Sequence, residues 1–102
     1  MLVENKQQIF QRLSDNGAEL ENMGVKRFGL FGSFVKGTQN ADSDIDLLVE
    51  FKPGRKSFDG FMNLAYLLEE LLGRKVDLLT RESLSPHVGP KILAEVEYGV
   101  ID

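Results

Sequence analysis

Phe28-Gly29-Leu30-Phe31-Gly32-Ser33, followed after ten residues by Asp44-Ile45-Asp46-Leu47-Leu48-Val49, is the stretch on which the reading turns. An apolar run ends on a Gly-Ser turn, and a second apolar run begins on two aspartates. A turn of the first kind can offer backbone N–H groups and a hydroxyl to a phosphate. Two carboxylates at i and i+2 of a strand share a face. The pair of features makes a place for a nucleoside triphosphate and its divalent metal.

Working outward, residues 4–15 read as an amphipathic helix with Ile9, Phe10 and Leu13 on its apolar stripe. Asn16-Gly17 breaks it, and a short helical turn runs toward Gly24. Residues 25–31 form a strand, 33–37 at most a turn of helix, and 44–51 a strand apolar enough to be buried on both faces. Lys52-Pro53-Gly54-Arg55-Lys56 is a basic loop. Asp59 to Leu72 repeats Phe61, Leu64, Ala65, Leu68, Leu71 and Leu72 at helical spacing, and Gly73 stands where a C-cap belongs. Val76 to Leu79 is a short strand, and a last helix is predicted near 90–97.

A strand, a helix and a strand make a crossover unit, so 44–51 and 76–79 should be parallel neighbours. Ten residues between Ser33 and Asp44 suit an antiparallel pair. The expected class is α/β (α+β), a small mixed sheet packed with helices in one domain spanning 1–102.

The chain has 102 residues, 42% of them hydrophobic, a net charge of −4 and a pI near 5.0. Phosphate-backbone binding needs a basic surface, so general nucleic-acid binding is not expected. Without cysteine there is no disulfide framework and no thiolate metal site. The first residues lack the apolar core of a signal peptide, and no apolar run approaches the ~20 residues of a membrane span. A cytoplasmic protein with no membrane partner is expected.

Neighbouring phosphate and metal motifs fail on particular residues. A Walker loop needs lysine after its second glycine, where Thr38 follows Gly37. Gly29, Gly32 and Gly37 lack dinucleotide-fingerprint spacing. Asp42, Asp44 and Asp46 imitate a calcium loop, but its glycine and glutamate positions hold Leu47 and Pro53. A carboxylate site for Mg²⁺ or Mn²⁺ survives. A two-ion site for in-line displacement generally wants a third carboxylate. Asp77, in the next predicted strand, is the candidate, because an aspartate inside a short buried strand is costly unless paired or metal-bound. The competing structural reading pairs Asp77 with Lys75 or Arg74. Ser33 as a covalent nucleophile lacks an adjacent base, since the lone His87 is far along the chain. Lys52, Arg55 and Lys56 read as a solvated loop, with steering of a triphosphate or partner into the site as the alternative. Phe34, Phe58 and Phe61 are candidates for an adenine or partner surface, with core packing favoured for Phe61.

Gly32-Ser33-x10-Asp44-x-Asp46, with Asp77 on a later strand, resembles the DNA-polymerase-β-type nucleotidyltransferase superfamily. Asp42-Ser43-Asp44-Ile45-Asp46-Leu47-Leu48-Val49-Glu50-Phe51 is very typical of its shortest members, the minimal nucleotidyltransferases (MNT). So is Leu84-Ser85-Pro86 followed by Lys91-Ile92-Leu93-Ala94-Glu95. The likeness covers roughly residues 5–100. It implies a polymerase-β palm-like fold and the antitoxin half of a pair with a HEPN-type toxin. It further implies transfer of AMP from ATP onto a tyrosine hydroxyl of that toxin. Asp44, Asp46 and Asp77 would then hold two ions and serve catalysis, while Gly32, Ser33 and Lys36 would bind phosphate. Relatives often carry Ala-Arg-Gly where this chain has Val35-Lys36-Gly37; lysine keeps the charge and loses the bidentate fork. Two rival functions stand beside this one: a binding module that neutralises its partner by occlusion, and a small-molecule nucleotidyltransferase. Larger relatives grip the acceptor with a second domain, for which this chain has no room. The acceptor is therefore expected to dock as a folded macromolecule or to be shared across an oligomer.

Overall fold

A computed structural model describes residues 2–99, so both ends of the expected 1–102 domain lie outside it. Helix α1 (Lys6–Asp15) starts where the Asn5 side chain accepts a hydrogen bond from the Gln8 N–H, satisfying one orphan donor of the first turn. Its apolar stripe buries Ile9 and Leu13. Helix α2 (Gly17–Asn22) follows directly, and then strand β1 (Val25–Phe31). A single turn, α3 (Ser33–Lys36), separates β1 from β2 (Ile45–Phe51).

Helix α4 (Phe58–Leu72) is capped at both ends as its sequence requires. Ser57 accepts from the Gly60 N–H, and Gly73 closes the helix with φ 71°, a left-handed conformation that glycine enters without Cβ strain. Strand β3 (Val76–Thr80), a 3₁₀ turn (Arg81–Ser83), helix α5 (Gly89–Glu95) and strand β4 (Glu97–Gly99) complete the order.

The sheet runs β3-β2-β1-β4, with β1 antiparallel to both β2 and β4 and β2 parallel to β3. The mixed sheet and both predicted pairings are therefore present. The predicted helix over 90–97 is shorter. It stops at Glu95, and residues 97–99 form an edge strand that the sequence pattern did not reveal. Three residues are too few to display a period-two pattern.

One face of the sheet carries the core. Val25, Phe28, Leu30, Ile45, Leu47, Val49, Val76 and Leu78 meet Ile9, Leu13, Leu20, Leu64, Leu68 and Leu72 from the helices. Alternation along the strands then sends Gly29 and Phe31, Asp46 and Leu48, and Asp77 and Leu79 to the opposite face. Leu48 is fully buried there too, as the apolar run predicted. Asp77 is not. It lies exposed on the edge strand β3, so the burial argument for a ligand at this position fails. An edge strand has a neighbour on one side only, so a side chain on the face away from the core stays open to water, which the sequence Val-Asp-Leu-Leu does not disclose. No helix among the described residues is long and apolar enough to cross a membrane.

Candidate active site

Two strand registers assemble the site. Phe31 of β1 stands opposite Asp46 of β2, and Asp46 stands beside Asp77 of β3. The Gly-Ser turn that ends β1 therefore lands against the aspartates that begin β2. The contact is close enough that a Cβ on Gly32 would collide with the Asp46 carboxylate, and Gly32 itself has φ 77°. Glycine is needed there on both counts. Asp44 precedes β2 by one residue, at the end of the loop that returns from α3.

The carboxylates are crowded. The Asp46 carboxyl is pushed up from 3.8 to about 6, first by burial, then by the charges of Asp77, Asp44 and Glu95, and by a hydrogen bond with Asp77. Like charges that cannot be diluted by solvent favour the protonated form. Among the described residues, no three such side chains converge as they stand at metal-ligating distance. The donor set itself fits Mg²⁺ or Mn²⁺, hard cations that take carboxylate oxygens together with substrate phosphates and water.

On the phosphate side, α3 begins at Ser33 with Gly32 as its cap residue and no side-chain cap. The first N–H groups of a helix have no intrahelical acceptor, so Ser33 and Phe34 present theirs outward. Among the described residues, the Ser33 hydroxyl has no protein partner. An anion already sits at this turn: Glu95, the last residue of α5, accepts from the Gly32 N–H through Oε1 at 3.1 Å and lies 3.6 Å from Lys36 Nζ through Oε2. Lys36 thus reaches the same turn as Gly32 and Ser33. Glu95 was missed from sequence; it is 63 residues from Gly32 and belongs to no spacing motif with it.

Arg74 is also reassigned. It does not pair with Asp77, and no ion pair of Asp77 with Arg74 or Lys75 occurs among the described residues. Its buried guanidinium instead donates to the carbonyls of Val3 (2.7 Å), Asn40 (3.0 Å), Ala41 (3.1 Å) and Ser43 (3.0 Å). It also lies 5.2 Å from the Phe34 ring centroid. A planar fork with five donors can bind several carbonyls at once. Arg74 thereby ties down the loop that delivers Asp44, from beneath the turn that carries Ser33.

The aromatic candidates separate. Phe34 is buried in the core and is not a binding surface. Phe61 packs partly against that core, as favoured from sequence. Phe58 is 79% exposed and, with Phe61, Met62 and Thr80, lines an apolar concavity of about 500 Å³. Thr80 ends β3 whereas Asp77 is near its start, so this concavity lies toward the other end of the strands. The basic loop is engaged locally: Lys52 with Glu21 (3.3 Å), Lys56 with Glu82 (3.5 Å), and Arg55 with the Asn22 carbonyl (2.6 Å).

A mixed sheet with a Gly-Ser turn set against paired strand aspartates is the architecture of a nucleotidyltransferase. The sequence profile of the nucleotidyltransferase domain matches residues 7–99, and the chain belongs to that family. It is 42% identical over 78 residues to the protein adenylyltransferase MntA of Thermococcus cleftensis, covering 76% of this chain and 78% of the relative. In structure it is similar to a minimal nucleotidyltransferase, with a TM-score of 0.77, 31% identity, and coverage of 92% and 95% of the two chains. It is also similar to a chain from a mutant MntA toxin–antitoxin crystal structure, with a TM-score of 0.66, 27% identity, and coverage of 96% and 75%.

Proposed function

We propose that this chain transfers AMP from ATP to a tyrosine hydroxyl of a HEPN-type toxin and so acts as its antitoxin. The observation that carries the reading is the double register that sets Gly32-Ser33, Asp46 and Asp77 side by side. The relative named as a protein adenylyltransferase and the likeness to an MntA toxin–antitoxin structure support AMP transfer and a toxin partner.

In this reading the Gly32 and Ser33 N–H groups, the Ser33 hydroxyl and Lys36 bind the outer phosphates. These donors neutralise charge that accumulates on the leaving pyrophosphate. Asp44, Asp46 and Asp77 would hold Mg²⁺ or Mn²⁺ ions, which supply charge stabilisation to the attacking and leaving oxygens of an in-line displacement. The acceptor hydroxyl forms its bond to the α-phosphorus as the bond to pyrophosphate breaks. Asp77, exposed on the edge strand, would take the hydroxyl proton.

The test mixes the chain with its cognate HEPN toxin, ATP and Mg²⁺ and reads intact masses of both proteins. The expected result is adenylyl additions on the toxin with wild type and none with Asp44→Asn. Peptide mapping then places them on tyrosine. Toxin neutralised in a complex without any mass change would refute transfer and leave occlusion as the mechanism.

A further inference from the structure

Glu95 makes its favourable contacts with the Gly32 N–H and the Lys36 ammonium, and its unfavourable one is with the charge of Asp46. One oxygen takes the Gly32 N–H and the other faces the Lys36 ammonium. Its charge also bears on Asp46. A side chain serving only to anchor α5 gains nothing from facing the charge of Asp46. Among the described residues, Gly32 and Lys36 are the only polar partners of its carboxylate. Both contacts are of the kind solvent and a competing anion can replace, since Lys36 is 60% exposed and Glu95 29%.

We propose that Glu95 is an intramolecular stand-in for a phosphate group. It occupies the polyphosphate cradle in the nucleotide-free protein, is displaced by the triphosphate, and thereby sets the affinity for nucleotide. The proposal rests on the reading of Gly32, Ser33 and Lys36 as the polyphosphate site.

The structure permits displacement without unfolding the tail. Glu95 is the last residue of α5, and the backbone is already extended at Val96. Beyond it, β4 is held independently. Tyr98 pairs opposite Gly29 and its ring lies 3.8 Å from Arg27, while Glu97 reaches Lys6 at 3.1 Å. A rotation of the Glu95 side chain frees the Gly32 N–H and Lys36 while these attachments stay made. A triphosphate brings more charge to the same donors than one carboxylate and therefore wins the exchange.

Glu95→Gln separates this role from the alternatives. Glutamine keeps an oxygen for the Gly32 N–H and removes the charge that holds Lys36 and repels polyphosphate. Binding of ATP and of inorganic tripolyphosphate to the full chain is measured by calorimetry, with and without Mg²⁺, alongside a thermal melt. The expected result is about fivefold tighter binding of both probes, the factor equivalent to one exposed ion pair. Loss of a purely structural contact would not tighten binding. Unchanged affinity in a folded Glu95→Gln protein overturns the proposal. Weaker ATP binding confined to the Mg²⁺ arm also overturns it and assigns Glu95 to the cation. Wild type that binds neither ATP nor tripolyphosphate removes the polyphosphate reading itself and the proposal with it. Should Glu95→Gln lower the melting temperature, Lys36→Met provides the second measure. In that background Glu95 has lost the partner it shares with the polyphosphate, so adding Glu95→Gln should tighten both probes by less than it does in the wild-type background, and an equal gain in both backgrounds overturns the proposal.

Discussion

Asp46→Asn should make the metal-free protein more stable while abolishing its activity. The Asp46 carboxyl is raised from 3.8 to about 6 by burial and by its acidic neighbours. At about 1.36 kcal/mol per pH unit, that is about 3 kcal/mol against the charged form in the fold. Asp46 is only half buried, so screening reduces the expected penalty to about 1–2 kcal/mol. The sign follows from linkage: the folded state takes up this proton before the unfolded state does. The penalty is full above pH ~6 and fades as pH falls through 6 toward 3.8, so this group stabilises the fold on acidification. Asparagine carries no charge at any pH and can donate to Asp77. In EDTA at pH 7.5 the variant should melt about 4–16 °C above wild type, at about 4–8 °C per kcal/mol for a domain of this size. Near pH 4 the two should coincide. Circular-dichroism melts at both pH values decide it. A variant that is less stable than wild type at pH 7.5, or equally stabilised at both, would refute the account of a crowded carboxylate centre.

The same crowding predicts that millimolar Mg²⁺ or Mn²⁺ raises the melting temperature of wild type through binding to the native state, and that Asp44→Asn blunts the rise. A melt indifferent to both ions would count against the carboxylates as ligands. Gly32→Ala combines a strained left-handed backbone with a Cβ driven into the Asp46 carboxylate. It should cost at least about 2 kcal/mol by chemical denaturation and eliminate nucleotide binding in whatever folds; near-wild-type binding would disprove the close approach. Arg74→Met should cost about 2–3 kcal/mol through its lost charge-assisted bonds. It should also speed amide exchange across residues 40–44 and lower transfer activity, with every proposed ligand still present. Arg74→Lys should restore only part, because an ammonium cannot span the same carbonyls. Unaltered exchange in that loop would show that Arg74 does not position Asp44.

Much of the fold was legible because its signals are local. The stripe of Leu64, Leu68 and Leu72 closed by Gly73 announces α4 from one stretch of chain, and strand β1 reads directly from Val25 to Phe31. Gly32-Ser33 and Asp44-x-Asp46 lie on consecutive strands with a short connection, so their meeting needed only one antiparallel pairing. Strand β4 was illegible, since three residues carry no pattern and pairing with β1 depends on a partner far back in the chain. Asp77 was legible as a residue of β3 beside Asp46, but not as an exposed one, because exposure depends on β3 being the sheet's edge.

By itself the sequence determined every element except β4 and the 3₁₀ turn, the mixed pairing of the other strands, and the make-up of the candidate site: a Gly-Ser turn beside hard carboxylates. These follow from periodicity, glycine placement and short-range spacing, each fixed within a few residues by backbone sterics. Tertiary structure alone decided which distant groups join that site. Arg74 clamps the loop before Asp44 because α4 returns the chain beneath it. Glu95 reaches Gly32 because β4 docks on β1 and leaves the end of α5 over the turn. Both contacts are products of long-range packing, which depends on how whole faces of the chain bury against one another and leaves no mark in the spacing of neighbouring residues.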